Sequence, residues 1–411
     1  MREYRGPLRD MRFVMQELLH FDEHYASLPG GENTSPDSVS AVLGEHARIC
    51  EEVIAPLNRS GNEEGCSWVD GEVTPPKRFK NAYERYVEGG RTSLPWRQDF
   101  GGQGLPMSLN KVLVEMLASA HMAFSLYTSA LPGAIETLAA YGSDEQRNTY
   151  ERKLIEGTWN ATLCLTEAHC GSDLGLLRTK AEPKADGSYA ISGVKIFITG
   201  GEHDFNENVI HLVLARLPDA PAGKQGISLF IVSKFRPGDS DEPGDRNPVY
   251  CGSIEHKMGV KGSATCVISF EGATGYLLGE MNRGLQAMFT FSNASRVSAA
   301  TQGVAHAELG FQKSLAYSRE RLQMRSLTGP KNSAGEADPI IVHLDTRRML
   351  LTQKAFAEGN RMLVYYLAKQ LDLAKQPEEI IRREARARPV GTMSVTHVDR
   401  RGQFRHIRQQ L

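Results

Sequence analysis

The sequence predicts a multidomain α+β protein whose helical and β segments follow one another along the chain. Three observations carry that prediction. Apolar residues recur at helical spacing through the first 160 positions. From Ala161 to about Gly279 they alternate in short runs separated by turn residues, and helical spacing returns near Gly284 and persists to Lys375. With 411 residues the chain is long enough for two or three domains, each with its own core.

In the first segment, 1–160, Val39, Val42, Leu43, Cys50, Val53 and Ile54 predict a helix ending before Pro56, with Ser38 available as its cap. Small and apolar residues on nearly every face from Leu109 to Tyr141 predict a buried helical pair broken at Leu131-Pro132-Gly133. The glycines of Trp96–Pro106 follow no strand of branched residues and open no βαβ unit, which argues against a dinucleotide fingerprint. In 161–279, Tyr189–Thr199, Val209–Ala215, Ile227–Val232 and Cys266–Phe270 read as strands without intervening helices, predicting an antiparallel barrel or sandwich. A third, helical segment covers 280–387. Beyond Pro377, the stretch Ile380–Leu411 holds eight arginines against two acids, and 388–411 reads as a poorly ordered basic tail.

Composition narrows the function. A net charge of −1 argues against nucleic acid as the main partner. The opening Met1–Phe13 is too charged for a signal peptide, and no apolar run reaches membrane-spanning length, so a cytoplasmic protein without a membrane partner is expected. Six cysteines without a Cys-x-x-Cys pair imply reduced thiols rather than disulfides or a zinc site; no metal is expected.

The most informative residues end two neighbouring strands. Leu163–Leu176 contains Thr166-Glu167 and Gly171-Ser172-Asp173, while Lys195–Gly201 contains Phe197 and Thr199. Two hydroxyls, an aromatic ring and a Gly-Ser-Asp turn suit a flat, polar-edged aromatic cofactor: hydroxyls and backbone N–H groups bind its rim while the ring covers a face. Taken singly, each residue has a plainer reading: Thr199 fits any strand, Phe197 a core position, and Arg321 in Arg319-Glu320-Arg321 a solvated helix pair.

These motifs, in this order, resemble the acyl-CoA dehydrogenase family. Glu255-x-Lys257-x-Gly259, Leu278-Gly279-Glu280 ahead of Gly284-Leu285, Arg296, and Arg321-Leu322-Gln323 extend the resemblance from about Tyr4 to Lys375. The wording of Glu207–Gly223 is similar to the branch that contains 3-(methylthio)propanoyl-CoA dehydrogenases. The resemblance implies an N-terminal all-α domain, a middle antiparallel β-barrel or sandwich, and a C-terminal helical bundle, here incomplete. It implies FAD bound by Leu165, Thr166, Phe197, Thr199 and Arg321, and acyl-CoA bound by Ser172 and Arg296. Electron-transfer flavoprotein as partner and a homo-oligomer belong to the same implication. Cys170 and Leu176 depart from the family pattern of small residues at those positions.

The resemblance also implies a base that removes the α-proton of the thioester, a carboxylate set by a Gly-Gly-x-Gly-Tyr-like motif or by the residue before Arg296. No such motif follows Arg296, and the preceding residue is Ser295. Glu308, Glu320, Asp345, Glu358 and Asp372 fall at helical spacing and read as solvated. The expectation is therefore a truncated FAD-dependent acyl-CoA dehydrogenase for the α,β-dehydrogenation of 3-(methylthio)propanoyl-CoA or a short- to medium-chain acyl-CoA, impaired by the missing carboxylate and with no catalytic residue assigned. Its alternatives are a non-catalytic flavin or acyl-CoA-binding fragment and, more weakly, a flavin monooxygenase or nitroalkane oxidase-like enzyme on the same fold.

Overall fold

A computed structural model of the chain describes residues 4–238 and 243–376. The expected basic tail at 388–411 lies outside the described residues. Two compact units are present, one formed by Met1–Pro56, Leu105–Met122 and Arg296–Leu411, the other by Leu57–Gly104 and Ala123–Ser295.

The first unit is helical where it is described. Its helix Pro36–Ile49 begins with proline in the first turn and continues as a π-helical turn, Cys50–Ile54. The cap is Ser35, whose hydroxyl accepts from the Ser38 N–H at 3.2 Å, so the capping role falls three residues before the expected Ser38. Proline explains the shift, because it lacks the N–H and fits the first helical position without loss. The region read as a helical pair is three helices: Met107–Ala120, which belongs to this unit, and Met122–Thr128 and Leu131–Tyr141, which fall in the second from Ala123 onward. His121 adopts an extended backbone at the first break, and Pro132 starts the third helix rather than ending the second.

Buried charge organises this unit. Arg361, on the helix Leu344–Ala374, donates through Nε to Glu115 Oε1 at 2.8 Å and through Nη2 to Glu308 Oε2 at 2.8 Å. Tyr365 donates to the other Glu115 oxygen at 2.7 Å. Glu308 is thus buried and committed, not solvated as its helical spacing suggested. Asp372 is likewise buried, accepting from the Ser108 N–H at 3.1 Å and lying 3.1 Å from His24 Nε2. Helical spacing told which faces these acids occupy and nothing about what covers them.

The second unit is built on strands. A hairpin pairs β1 (Ser67–Val69) with β2 (Glu72–Thr74). The main sheet uses β3 (Trp159–Cys164), β4 (Lys180–Pro183), β5 (Tyr189–Thr199), β6 (Asn208–Arg216) and β7 (Ile227–Ser233). A further short pair joins β8 (Phe235–Pro237) to β9 (Pro243–Arg246), and β10 (Val249–Ile254) and β11 (Thr265–Leu277) complete the sheet. Strand β11 pairs β5 and β7, β5 pairs β4, β4 meets β6, and β6 pairs β7, so five strands close a barrel with β10 and β3 added outside it. The expected antiparallel pairing dominates. Two contacts are parallel, β3 with β6 and the single β4–β6 register pair Lys180–Arg216, a direction that alternation alone does not encode. Ile191, Ile198, Val213, Phe230, Val249, Ile268 and Phe270 fill the barrel core. Strands β6 and β7 are buried along nearly their whole length, which is why they read as continuous apolar runs.

Arg361→Met is expected to leave Glu115 and Glu308 buried without their counter-charge and to destabilise the protein by about 3–5 kcal/mol. Urea unfolding followed by circular dichroism measures it; a change below about 1 kcal/mol would show that water satisfies these carboxylates in the folded state.

Candidate functional site

Leu165 and Thr166 follow the last residue of β3, and Phe197 and Thr199 end β5. A backbone bond from the Ile196 N–H to the Thr166 carbonyl, 2.9 Å, brings the two strand ends side by side. Thr166 and Thr199 are half-buried, and neither hydroxyl has a hydrogen-bond partner among the described residues.

Strict alternation would put Lys195, Phe197 and Thr199 on one face. The structure does otherwise. Opposite β11 the register slips between Cys266 and Ile268, so β5 carries an extra residue there. Phe197 absorbs it with φ 62°, in the left-handed region that side chains rarely adopt. Lys195 and Ile198 are consequently both buried, and Phe197 is left 58% exposed. Such strain in a non-glycine residue concentrates at functional sites.

Glu167 fixes the first motif. Its Oε1 accepts from Lys195 Nζ at 2.9 Å and from the Thr179 N–H and hydroxyl at 3.0 and 2.6 Å; its Oε2 accepts from the Arg178 N–H at 2.8 Å. Burial works against the charge, but Lys195 and these donors outweigh it and hold the carboxyl down to about 2. The same burial lowers the Lys195 ammonium, opposed by Glu167. Lys195 also donates to the Leu165 carbonyl at 3.1 Å, so one side chain positions the backbone on both sides of Thr166.

The next turn is equally constrained. Glu167 and Cys170 exchange backbone bonds of 2.8 and 3.0 Å. A side chain at Gly171 would bring its Cβ to 3.2 Å from Thr166 Cγ2, closer than ordinary contact, so glycine lets the loop close over Thr166. Asp173 folds back onto the Gly175 N–H at 3.1 Å, and Arg216 anchors the loop through the Gly175 and Leu177 carbonyls at 2.7 and 2.8 Å. Ser172 is left exposed at its tip.

The Glu255–Gly259 motif buttresses the far end. Lys257 donates to Thr265 Oγ1 at 3.2 Å, and Thr265 is the register partner of Thr199. Arg296 lies on the helix Gly284–Glu320, and Ser295 returns its hydroxyl to the Phe291 carbonyl at 3.2 Å. Arg321 follows that helix, exposed, with Nη2 donating to Gln323 at 2.8 Å. Its loop is built on buried Asp338, which accepts from the N–H groups of Ser326, Lys331 and Asn332 at 2.7–2.8 Å. A cavity of about 540 Å³ lined by Tyr4, Arg5, Leu309, Lys313, Arg319 and Glu320 contains none of the residues expected to contact flavin or acyl-CoA.

Sequence reasoning grouped Thr166, Phe197 and Thr199 correctly in space but assigned no role to Lys195 or Thr179. A lysine inside an otherwise apolar strand was the available signal. Because the Glu167 carboxyl is held below its ordinary value of 4.5, its stabilising charge is fully present above that pH and is lost as pH falls toward about 2. Glu167→Gln is expected to lower the urea midpoint near neutral pH and to abolish that acid-dependent loss; an unchanged pH profile would assign the acid sensitivity elsewhere.

The comparisons with known proteins agree with this geometry. The family models for the N-terminal and middle domains of acyl-CoA dehydrogenases match residues 39–158 and 162–273. The 3-methylmercaptopropionyl-CoA dehydrogenase of Ruegeria pomeroyi is 44% identical over 384 residues, covering 93% of this chain; the chain spans 65% of that relative's length. The butyryl-CoA dehydrogenase structure from Megasphaera elsdenii matches with a TM-score of 0.66 at 22% identity, covering 89% of each chain. An acyl-CoA dehydrogenase from Bacillus anthracis, solved in complex with FAD, matches with a TM-score of 0.63 at 22% identity, covering 82% of this chain and 53% of that one. The chain belongs to the acyl-CoA dehydrogenase family.

Proposed function

We propose that this chain forms the flavin- and thioester-facing part of an FAD-dependent acyl-CoA dehydrogenase acting on an acyl-CoA of the 3-methylmercaptopropionyl-CoA class. The observation that carries the reading is that the Ile196–Thr166 backbone bond joins two strand ends bearing unpartnered hydroxyls, Thr166 and Thr199, and an exposed aromatic residue, Phe197. Those groups fit the polar rim and flat face of an isoalloxazine. When bound, FAD would supply an acceptor for the hydride leaving the β-carbon of the thioester.

The chain's own residues bind and orient. The Leu165 backbone and the Thr166 and Thr199 hydroxyls would hold the ring rim, and Phe197 would cover one face. Ser172, at the exposed tip of an anchored loop, would meet the pantetheine arm or its phosphates. Arg296 would face the acyl-CoA. Arg321, whose guanidinium fork matches phosphate oxygens, would face the FAD phosphates. Lys195 and Glu167 act as positioning residues, because they hold Thr166 and do not point out of the turn.

The proton step is assigned to no residue. Glu308, Asp338 and Asp372 are buried in structural hydrogen bonds, Asp345 pairs with Arg348, and Glu358 with Lys354. Ser295 is not a base at neutral pH. The substrate class rests on the Ruegeria pomeroyi relative, and electron-transfer flavoprotein as electron acceptor on family membership. Among the described residues no helix is long and apolar enough to cross a membrane.

The purified chain is expected to hold FAD, and 3-methylmercaptopropionyl-CoA is expected to perturb or bleach the flavin band in the absence of oxygen. Failure to hold FAD would remove the cofactor assignment; FAD held without any response to acyl-CoA would remove the substrate assignment. Thr199→Val, which deletes one hydrogen bond, is expected to weaken FAD binding by up to about tenfold in an equilibrium titration.

A further inference from the structure

We propose that Glu167, His169 and Cys170 form a binding site for a soft divalent cation of the Zn²⁺ class. The cysteine spacing gave no hint of it, since the ligand set is mixed and lies within one turn. One donor atom from each of the three residues lies within 4.8 Å of the others. His169 Nε2 is already 3.5 Å from Glu167 Oε2. Metal–sulfur and metal–nitrogen bonds of about 2.3 and 2.0 Å in tetrahedral geometry place neighbouring donors about 3.5 Å apart, so only a small contraction is required.

The turn is built in advance. Glu167 and Cys170 exchange both backbone bonds, which puts their side chains on one face of a two-residue connection. His169 occupies the corner and is partly exposed, giving an ion a way in. Glu167 Oε2 keeps accepting capacity, because Lys195 and Thr179 act on Oε1 and Oε2 receives only the Arg178 N–H among the described residues. The ligand types, thiolate, imidazole and carboxylate, select Zn²⁺ over Mg²⁺ or Ca²⁺.

Two terms oppose binding. His169 gives up a 3.0 Å bond to the Leu176 carbonyl, and the Lys195 ammonium on Glu167 repels the incoming cation. Affinity is therefore below that of a four-ligand structural site, and a fourth position stays open to water. On binding, the Cys170 S–H bond breaks, the metal–sulfur bond forms and one proton passes to solvent; no electron is transferred. Because the same turn carries Thr166 at one end and Ser172 at the other, an occupied site fixes the loop proposed to face the flavin.

Co²⁺ titrated into the full chain is expected to give a near-ultraviolet thiolate-to-cobalt band that Zn²⁺ displaces. Cys170→Ser is expected to abolish the band, and Cys66→Ser, at the partly exposed thiol bonded to Tyr127, to leave it unchanged. His169→Ala, at a partly exposed position, is expected to weaken Co²⁺ binding by at least the roughly tenfold that loss of an outer-shell partner costs. Absence of the band in the unmodified chain, its survival in Cys170→Ser, or unchanged affinity in His169→Ala would each overturn the proposal. FAD uptake is measured separately, on the unmodified metal-free chain, so failure of the cation site and failure of the flavin assignment are distinguishable.

Discussion

The candidate site depends on one buried ion pair, Lys195 with Glu167. Neither charge is tolerable alone in that environment, because desolvation raises the carboxyl and lowers the ammonium. Together, with Thr179 and the Arg178 N–H, they satisfy one another and join three pieces of chain: the end of β3, the entry to β4 and the middle of β5. A buried pair of this kind contributes little net stability relative to an apolar replacement. What it supplies here is register. A slip of β5 by one residue would turn Lys195 outward and leave Glu167 buried without its cation, so the correct alignment of Thr166 with Thr199 is the one in which both charges are paired.

The helical unit reaches the same end by the same means. Glu115, Glu308 and Arg361 are far apart in sequence and meet in the buried interior. Burial raises the Glu115 carboxyl, with Arg361 and Tyr365 working against the rise. Two carboxyl groups share one guanidinium, so the arrangement depends on which helix face each residue occupies. Each unit thus uses a buried cation to choose among packings that hydrophobic contact would leave nearly equal.

Much of this was legible in the sequence. The change of period at Ala161, the strands, and the proximity of Thr166, Phe197 and Thr199 followed from residue pattern and motif order. Other features left no trace in that pattern. Alternation reports sidedness and not direction, so the parallel β3–β6 pairing could not be read. Ser35 and Ser38 are equally good caps until Pro36 is weighed. Glu308 and Asp372 lie on helices whose patterns do not say what covers them, and their partners, Arg361 and His24, are distant in the chain. The bulge at Phe197 inverted the facing of half a strand without any glycine to announce it.

That bulge carries an implication for how this protein tolerates change. A residue held at φ 62° in a strand raises the energy of the folded state relative to the same chain relaxed. Glycine at position 197 would adopt that backbone freely, at the cost of the ring. Selection for stability alone would therefore favour losing the aromatic, and selection for the surface it presents would favour keeping the strain. Stability and the exposed aromatic surface pull in opposite directions at a single backbone angle, so at position 197 relief of strain and loss of the ring are the same substitution.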